Sequence, residues 1–340
     1  MTFDYEKFNR RYGPWISLGL GVATVTFVRR GARYAPAAVA FLALGWFLAI
    51  GVRRFLTRAS ASQAGEGPEG ANDSTPAPLA PSRLRRMLPA AASTASVNLY
   101  QNVLFYLVPV WANSATWPSS NMLFPILLGG MALFSCFEYP YRTHILDRPV
   151  VLGVFSAVTL FAALVPIFTA LLEIPLRWAL VSSALAAGVA VASASIPRMR
   201  IGLRRAIPAF LGVVGLSLGA LVSAGPYLPP VPIVCTESSA GTGVLRRELQ
   251  GEGKNFPAGT ERVYAWFSVA SPARWRQPVQ FHWFRDGRPS GDPLDHEVTG
   301  GREAGFRTWT WRSRPPSGDW RVDLVTDSGQ LVGRVRFRVE

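Results

Sequence analysis

The chain has 340 residues, 49% of them hydrophobic and 16% charged, and carries a formal charge of +14. That balance is too apolar for an ordinary soluble protein. With two cysteines, Cys136 and Cys235, it excludes a disulfide framework and a thiolate metal site, because either needs more sulfurs at close spacing.

In chain order, apolar runs fall at 12–28, 36–52, 92–111, 122–138, 150–172, 178–196 and 206–224. A spanning helix needs roughly 20 apolar residues, with about 17 as a practical minimum. The pattern predicts an α-helical polytopic membrane bundle of about seven spans. The first run leads through a basic loop into a second, without a small-residue cleavage site, so it reads as a retained helix rather than a signal peptide. Between the second and third runs, "ASASQAGEGPEGANDSTPAPLAPS" (59–82) is small, polar and rich in Pro and Gly, which predicts a disordered cytoplasmic linker.

The charge is placed like a topology signal. Residues 237–340 hold 16 Lys or Arg against 13 Asp or Glu, so most of the excess lies earlier, on short loops beside apolar runs, and nucleic acid is not an expected partner. With the N-terminus inside, fifteen basic residues are cytoplasmic: Lys7, Arg10, Arg11, Arg53, Arg54, Arg58, Arg83, Arg85, Arg86, Arg142, Arg148, Arg198, Arg200, Arg204 and Arg205. Arg29, Arg30, Arg33 and Arg177 fall outside. The first three break the rule, either by snorkelling or because residues 12–52 form a shallow hairpin. With 33 Arg, 2 Lys and abundant Ala, the composition suggests a GC-rich bacterial genome and a multi-pass protein of the inner membrane. The expected domains are a two-helix unit (1–58), the linker (59–86), a five-helix bundle (87–230) and an extracytoplasmic β domain (231–340).

Several residues inside the runs invite a functional reading. In "SVNLYQNVLFYLVPVW" (96–111), Asn98, Gln101, Asn102 and Tyr106 share a helical face with Thr94, opposite Val97, Val103, Leu104 and Leu107. Amides facing lipid tails would cost several kcal/mol, so the stripe is expected to point into the bundle, as interhelical hydrogen bonds, a polar ligand pocket or a transport path. No run has an ionisable residue near its midpoint, which argues against a pump. In "CFEYPYRTHILDRP", Glu138, His144 and Asp147 are weak catalytic candidates, interfacial anchoring being the plainer reading. Ser182, Ala186, Ala190 and Ala194, and likewise Gly215 and Gly219, make small-residue faces that predict close helix packing or a homo-oligomer.

After Pro226, Pro229, Pro230 and Pro232 the period changes to alternation. Strands are expected near 243–249, 261–270, 278–285, 294–299, 305–312, 319–326 and 331–339, as a small all-β immunoglobulin-like sandwich. Val335, Phe337 and Val339 should face the core and Arg334, Arg336 and Arg338 the outside, where the arginines are candidate ligands for anionic lipid. Trp266, Trp275, Trp283, Trp309, Trp311 and Trp320 are expected chiefly in the core, with sugar stacking as the functional alternative. His282 and His296 have no third partner, so no metal is expected, and no nucleophile or phosphate-loop motif points to a cofactor.

"RVYAWFSV", "PVQFHWFRDG", "FRTWTWRSRPPSGDWRVDLVTDSGQLVG" and "VRFRVE", with "LYQNVLFYLVPVWANSATWPSSNMLFPILLGGMALFSCFEYPYR" before them, resemble uncharacterised bacterial polytopic membrane proteins that end in a β-rich domain of unknown function. The resemblance implies the layout and lends no activity. The expected role is a non-enzymatic anchor, scaffold or sensor presenting a periplasmic β-sandwich to an envelope protein, glycan or anionic lipid through residues 237–340. The alternatives are a membrane enzyme acting on a lipid or envelope glycan, and a small-solute carrier.

Overall fold

The computed structural model describes residues 101–170, 172–195, 203–272, 275–301 and 305–340. The expected spans at 12–28 and 36–52, the linker, and Asn98 lie outside them. The described residues pack as two units, one containing 101–106 and 131–144, the other 107–130 and 145–340.

Six helices are described: α1 (101–113), α2 (Leu123–Ser135), α3 (Glu138–Tyr141), α4 (Pro149–Ala170), α5 (Leu176–Ser195) and α6 (Leu203–Ala224). They correct the expectation of about seven spans. Among the described residues only two helical stretches, Val150–Ala170 and Arg204–Tyr227, are long and apolar enough to cross a membrane. A third is reached if the sharply bent pair Ser120–Ser135 and Tyr139–Ile145 counts as one broken span. The reason is length. At 1.5 Å per residue, the 13 residues of α2 extend about 20 Å against a hydrocarbon core of about 30 Å. The apolar part of α5, Leu176–Ala192, also falls short. Hydropathy counted an apolar run through Cys136 and Phe137, where the helix in fact breaks.

Within the larger unit, the Trp111 indole donates from Nε1 to the Ala162 carbonyl at 2.8 Å, and its ring meets Phe124 at 4.5 Å and Phe161 at 6.2 Å. This satisfied aromatic cluster ties the end of α1 to α4. Helices α5 and α6 are in tight contact at Gly188, where an added Cβ would lie 3.0 Å from Ser217 Oγ and 3.2 Å from Val214 Cα. Gly215 and Gly219 instead face open space.

The C-terminal part is a β-rich, sandwich-like domain. Its strands are β1 (Val234–Gly241), β2 (Gly243–Leu245), β3 (Glu248–Gln250), β4 (Asn255–Phe256), β5 (Arg262–Ala270), β6 (Arg276–Arg285), β7 (Arg288–Pro289), β8 (Leu294–Thr299), β9 (Phe306–Ser313), β10 (Gly318–Thr326) and β11 (Leu331–Val339). One sheet runs β1-β5-β9; the other runs β4-β11-β10-β6-β7, with β8 also on β6; β2 and β3 form a hairpin. Alternation places Trp320, Val322 and Leu324 of β10 and Val335, Phe337 and Val339 of β11 in the core. Trp283, Trp320 and Phe337 pack at 5.9–6.3 Å between ring centroids, and Phe267 reaches across to Phe281 at 5.9 Å. Strand β1, "VCTESSAG", has no apolar alternation and was not expected. It is held by pairing with β5, in register from Val234 opposite Ala270 to Gly241 opposite Tyr264.

Candidate functional site

The loop between α1 and α2, residues 114–122, is fixed to the β domain by its polar side chains. Asn121 is fully buried: Nδ2 donates to the Leu331 carbonyl at 3.0 Å, and Oδ1 accepts from Thr116 N at 3.1 Å and from Ser119 Oγ. Thr116 Oγ1 donates to the Val332 carbonyl at 3.0 Å, and Ser120 Oγ to the Pro226 carbonyl at 3.2 Å. From the β domain, buried Gln330 donates from Nε2 to the Pro229 carbonyl at 3.2 Å. The α1–α2 loop, the chain leaving α6 and the β10–β11 hairpin therefore meet at one joint, closed by buried Leu228, Val231, Ile233, Leu331 and Val332.

A groove of about 210 Å³ opens beside this joint, lined by Trp117 and Pro118, by Ser238 and Ser239 of β1, by Gly253 and Lys254, and by Arg334 and Arg336 of β11. Trp117 is 76% exposed. Ser239 Oγ donates to Glu252 and Ser238 Oγ to the Arg334 carbonyl.

The cross-strand register decides which cations are free. Asp323 lies opposite Arg334, Arg321 opposite Arg336, and Asp319 opposite Arg338. Arg334 grips Asp323 with two bonds, 2.6 and 2.8 Å, and Arg338 grips Asp319 at 2.8 and 3.2 Å. The Asp319 carboxylate raises the Arg338 pKa above its ordinary value. Arg321, with its guanidinium 4.0 Å from the Phe284 ring centroid, leans toward Asp323 at 3.4 Å. Among the described residues, neither Arg336 nor Lys254 has a carboxylate in ion-pair reach. These two cations and the Trp117 ring line the same groove.

The other expected residues lie elsewhere. Gln101 is buried, donating from Nε2 to Cys136 Sγ at 3.3 Å; Asn102 is exposed and Tyr106 half-buried. His144 is exposed, with Nδ1 3.1 Å from the Pro140 carbonyl; Asp147 is exposed, and the Glu138 side chain lies outside the described residues. No group of three His, Cys, Asp or Glu that could hold a metal occurs among the described residues. Sequence reasoning missed Trp117, Lys254, Ser238 and Ser239. A Trp-Pro pair in a polar loop at the end of an apolar run, and a lysine in a chain with only two, were the available signals.

Residues 79–258, more than half of the chain, match the family described as "Family of unknown function (DUF5924)". The chain belongs to the DUF5924 family. In this DUF5924 protein, residues 276–339 also match a "Protein of unknown function (DUF2914)". The two matches meet inside the β domain, so the groove draws Trp117, Ser238 and Lys254 from the DUF5924 region and Arg334 and Arg336 from the DUF2914 region. No curated protein matches this DUF5924 chain. Among solved structures it is similar to a superoxide reductase (neelaredoxin) from Ignicoccus hospitalis, 16% identical, covering 26% of this chain and 76% of that one at a TM-score of 0.19. At that score the likeness bears on neither fold nor chemistry.

Proposed function

We propose that this DUF5924 protein is a non-enzymatic, multi-pass protein of the bacterial inner membrane that presents its β domain on the non-cytosolic face. There the groove takes a phosphate-bearing lipid headgroup. The observation that carries the reading is the pair of uncompensated cations, Lys254 and Arg336, beside exposed Trp117 at a joint built from helix ends. A headgroup phosphate would meet both cations, with the Ser238 and Ser239 side chains at the groove wall and the indole lying along the glycerol backbone. The joint supports a presenting role. Its hydrogen bonds and buried apolar residues link the β domain directly to helix ends, as a module that must stay at a set height above the membrane requires.

The test is lipid retention by the full-length protein, read by native mass spectrometry after extraction from membranes of mixed phosphatidylglycerol and phosphatidylcholine. Wild type should keep phosphatidylglycerol preferentially, and Lys254→Gln with Arg336→Gln should lower its retention about tenfold, while Arg338→Gln leaves it unchanged. Soluble glycerol phosphate should compete poorly, because it lacks the acyl chains that hold the headgroup at the groove. Equal retention by wild type and the double variant would sink the reading.

A further inference from the structure

A second cleft lies on the β domain, away from the joint, between strands that each edge a different sheet. It has a volume of about 220 Å³ and is lined by Arg247, His296, Phe306, Arg307, Thr308 and Trp309. Strand β8 brings His296 and strand β9 brings residues 306–309. The β2–β3 turn brings Arg247, pinned by Trp266 Nε1 donating to the Arg247 carbonyl at 2.9 Å.

Three features of this cleft are not explained by the fold. First, the turn residues Arg246 and Arg247 both take positive φ, 49° and 70°. A two-residue turn of that hand favours Asn-Gly, so two arginines strain the backbone. Strain of this kind clusters at functional sites. Arg247 lines the cleft and has no carboxylate in ion-pair reach among the described residues, whereas Arg307 is neutralised by Glu248. Second, Thr308 is 2% exposed and its Oγ1 lacks a hydrogen-bond partner, as does the buried Nε of Arg307. Unpaired buried polar atoms are rare and call for a partner. Third, the His296 ring sits 5.9 Å from Phe281 and 6.1 Å from Phe306. Desolvation there lowers its pKa despite the opposing pull of Glu297, so the imidazole is kept neutral and can both donate and accept.

We propose that this cleft binds one acidic sugar residue, its carboxylate on Arg247, its hydroxyls on Thr308 and His296, and its ring face against Trp309. The size selects a small ligand, since pockets for drug-sized molecules start at about 300 Å³. The mixture of groups selects the class. An aromatic acid would use Arg247 and the ring walls but leave Thr308 without a partner, whereas a sugar acid offers hydroxyls that donate and accept at once. This site shares no lining residue with the groove at the joint and stands or falls without it.

The experiment is saturation-transfer NMR on the full-length protein in detergent, with glucuronate, glucose and benzoate as probes. Glucuronate should receive transfer and compete away weak signals from the other two, at affinity at least tenfold above either. Two variants are chosen because neither should harm the fold. Arg247→Gly relaxes the strained turn, and Thr308→Val replaces an unpaired hydroxyl by a methyl of the same shape. Each should keep or raise the melting temperature while weakening glucuronate at least tenfold. Absence of transfer to glucuronate, binding unchanged in both variants, or benzoate binding as well as glucuronate would each overturn the proposal.

Discussion

Asp323 shows how a single register position sets both stability and the charge a surface offers. Asp323 is 6% exposed, with both carboxylate oxygens taken by Arg334. Asp323→Asn leaves a mostly buried guanidinium without its anion, and breaking such a pair costs roughly 3 kcal/mol. The expected outcome is a lowered thermal midpoint of the full-length protein, whereas Asp319→Asn, in an exposed pair, should leave it unchanged. A second residue-scale expectation concerns Cys235, where burial pushes the thiol up to about 11 from an ordinary value near 9.0. A raised folded-state value keeps the neutral form, so any stability from this thiol is complete below pH 9 and is lost as pH climbs through about 11. At pH 9 an ordinary cysteine is half thiolate and Cys235 only about one part in a hundred. In a Cys136→Ser background its alkylation should lag a model thiol about fiftyfold at pH 9 and catch up only near pH 11. An alkylation rate that levels off by pH 9 would refute this.

At the scale of elements, alternation and hydropathy showed where strands and apolar segments lie but not how they meet. The period-2 pattern of "GRVRFRVE" predicts three outward arginines, and they are outward. That Arg334 and Arg338 are neutralised and Arg336 is not follows from pairing β11 with β10, a long-range register that no local pattern encodes. The helix contact was legible only as a tendency. The small residues Ser182, Ala186, Ala190 and Ala194, and Gly215 and Gly219, were expected to mark faces of close packing or a homo-oligomer; among the glycines of the two helices it is Gly188 that meets the other helix, at Ser217 and Val214, while Gly215 and Gly219 face open space. Spacing marks which faces are thin without saying which of them finds a partner. The consequence can be measured. Gly188→Leu forces α5 away from α6 and should lower the midpoint by an amount typical of overpacking, about 1–3 kcal/mol. Gly215→Ala and Gly219→Ala meet open space and should be neutral or slightly stabilising, since Ala is the better helix former. Destabilisation at Gly215 and Gly219 equal to that at Gly188 would instead reveal a partner on that face.

For the whole molecule, the joint converts local contacts into an arrangement of sides. Helix α6 has 22 residues and, at 1.5 Å each, rises about 33 Å, enough to carry Arg204 and Arg205 to the membrane surface opposite Pro226. The Ser120–Pro226 and Thr116–Val332 hydrogen bonds put the loop of Trp117 and the start of β11 at the Pro226 end. If Arg204–Tyr227 crosses the bilayer as the proposal has it, positions 117 and 328 share a face and position 205 lies on the other, whichever way the chain inserts. The proposed orientation takes its direction from arginine placement, with basic loops on the cytosolic side. In a chain freed of its two cysteines by serine replacement, a membrane-impermeant maleimide applied to intact cells should modify Trp117→Cys and Ser328→Cys, while Arg205→Cys should react only after permeabilisation. Labelling of position 205 alone would keep the joint and reverse the insertion. Labelling of positions 117 and 328 from different sides would break the joint itself, and with it the argument that a groove between Trp117 and β11 sits at a lipid headgroup.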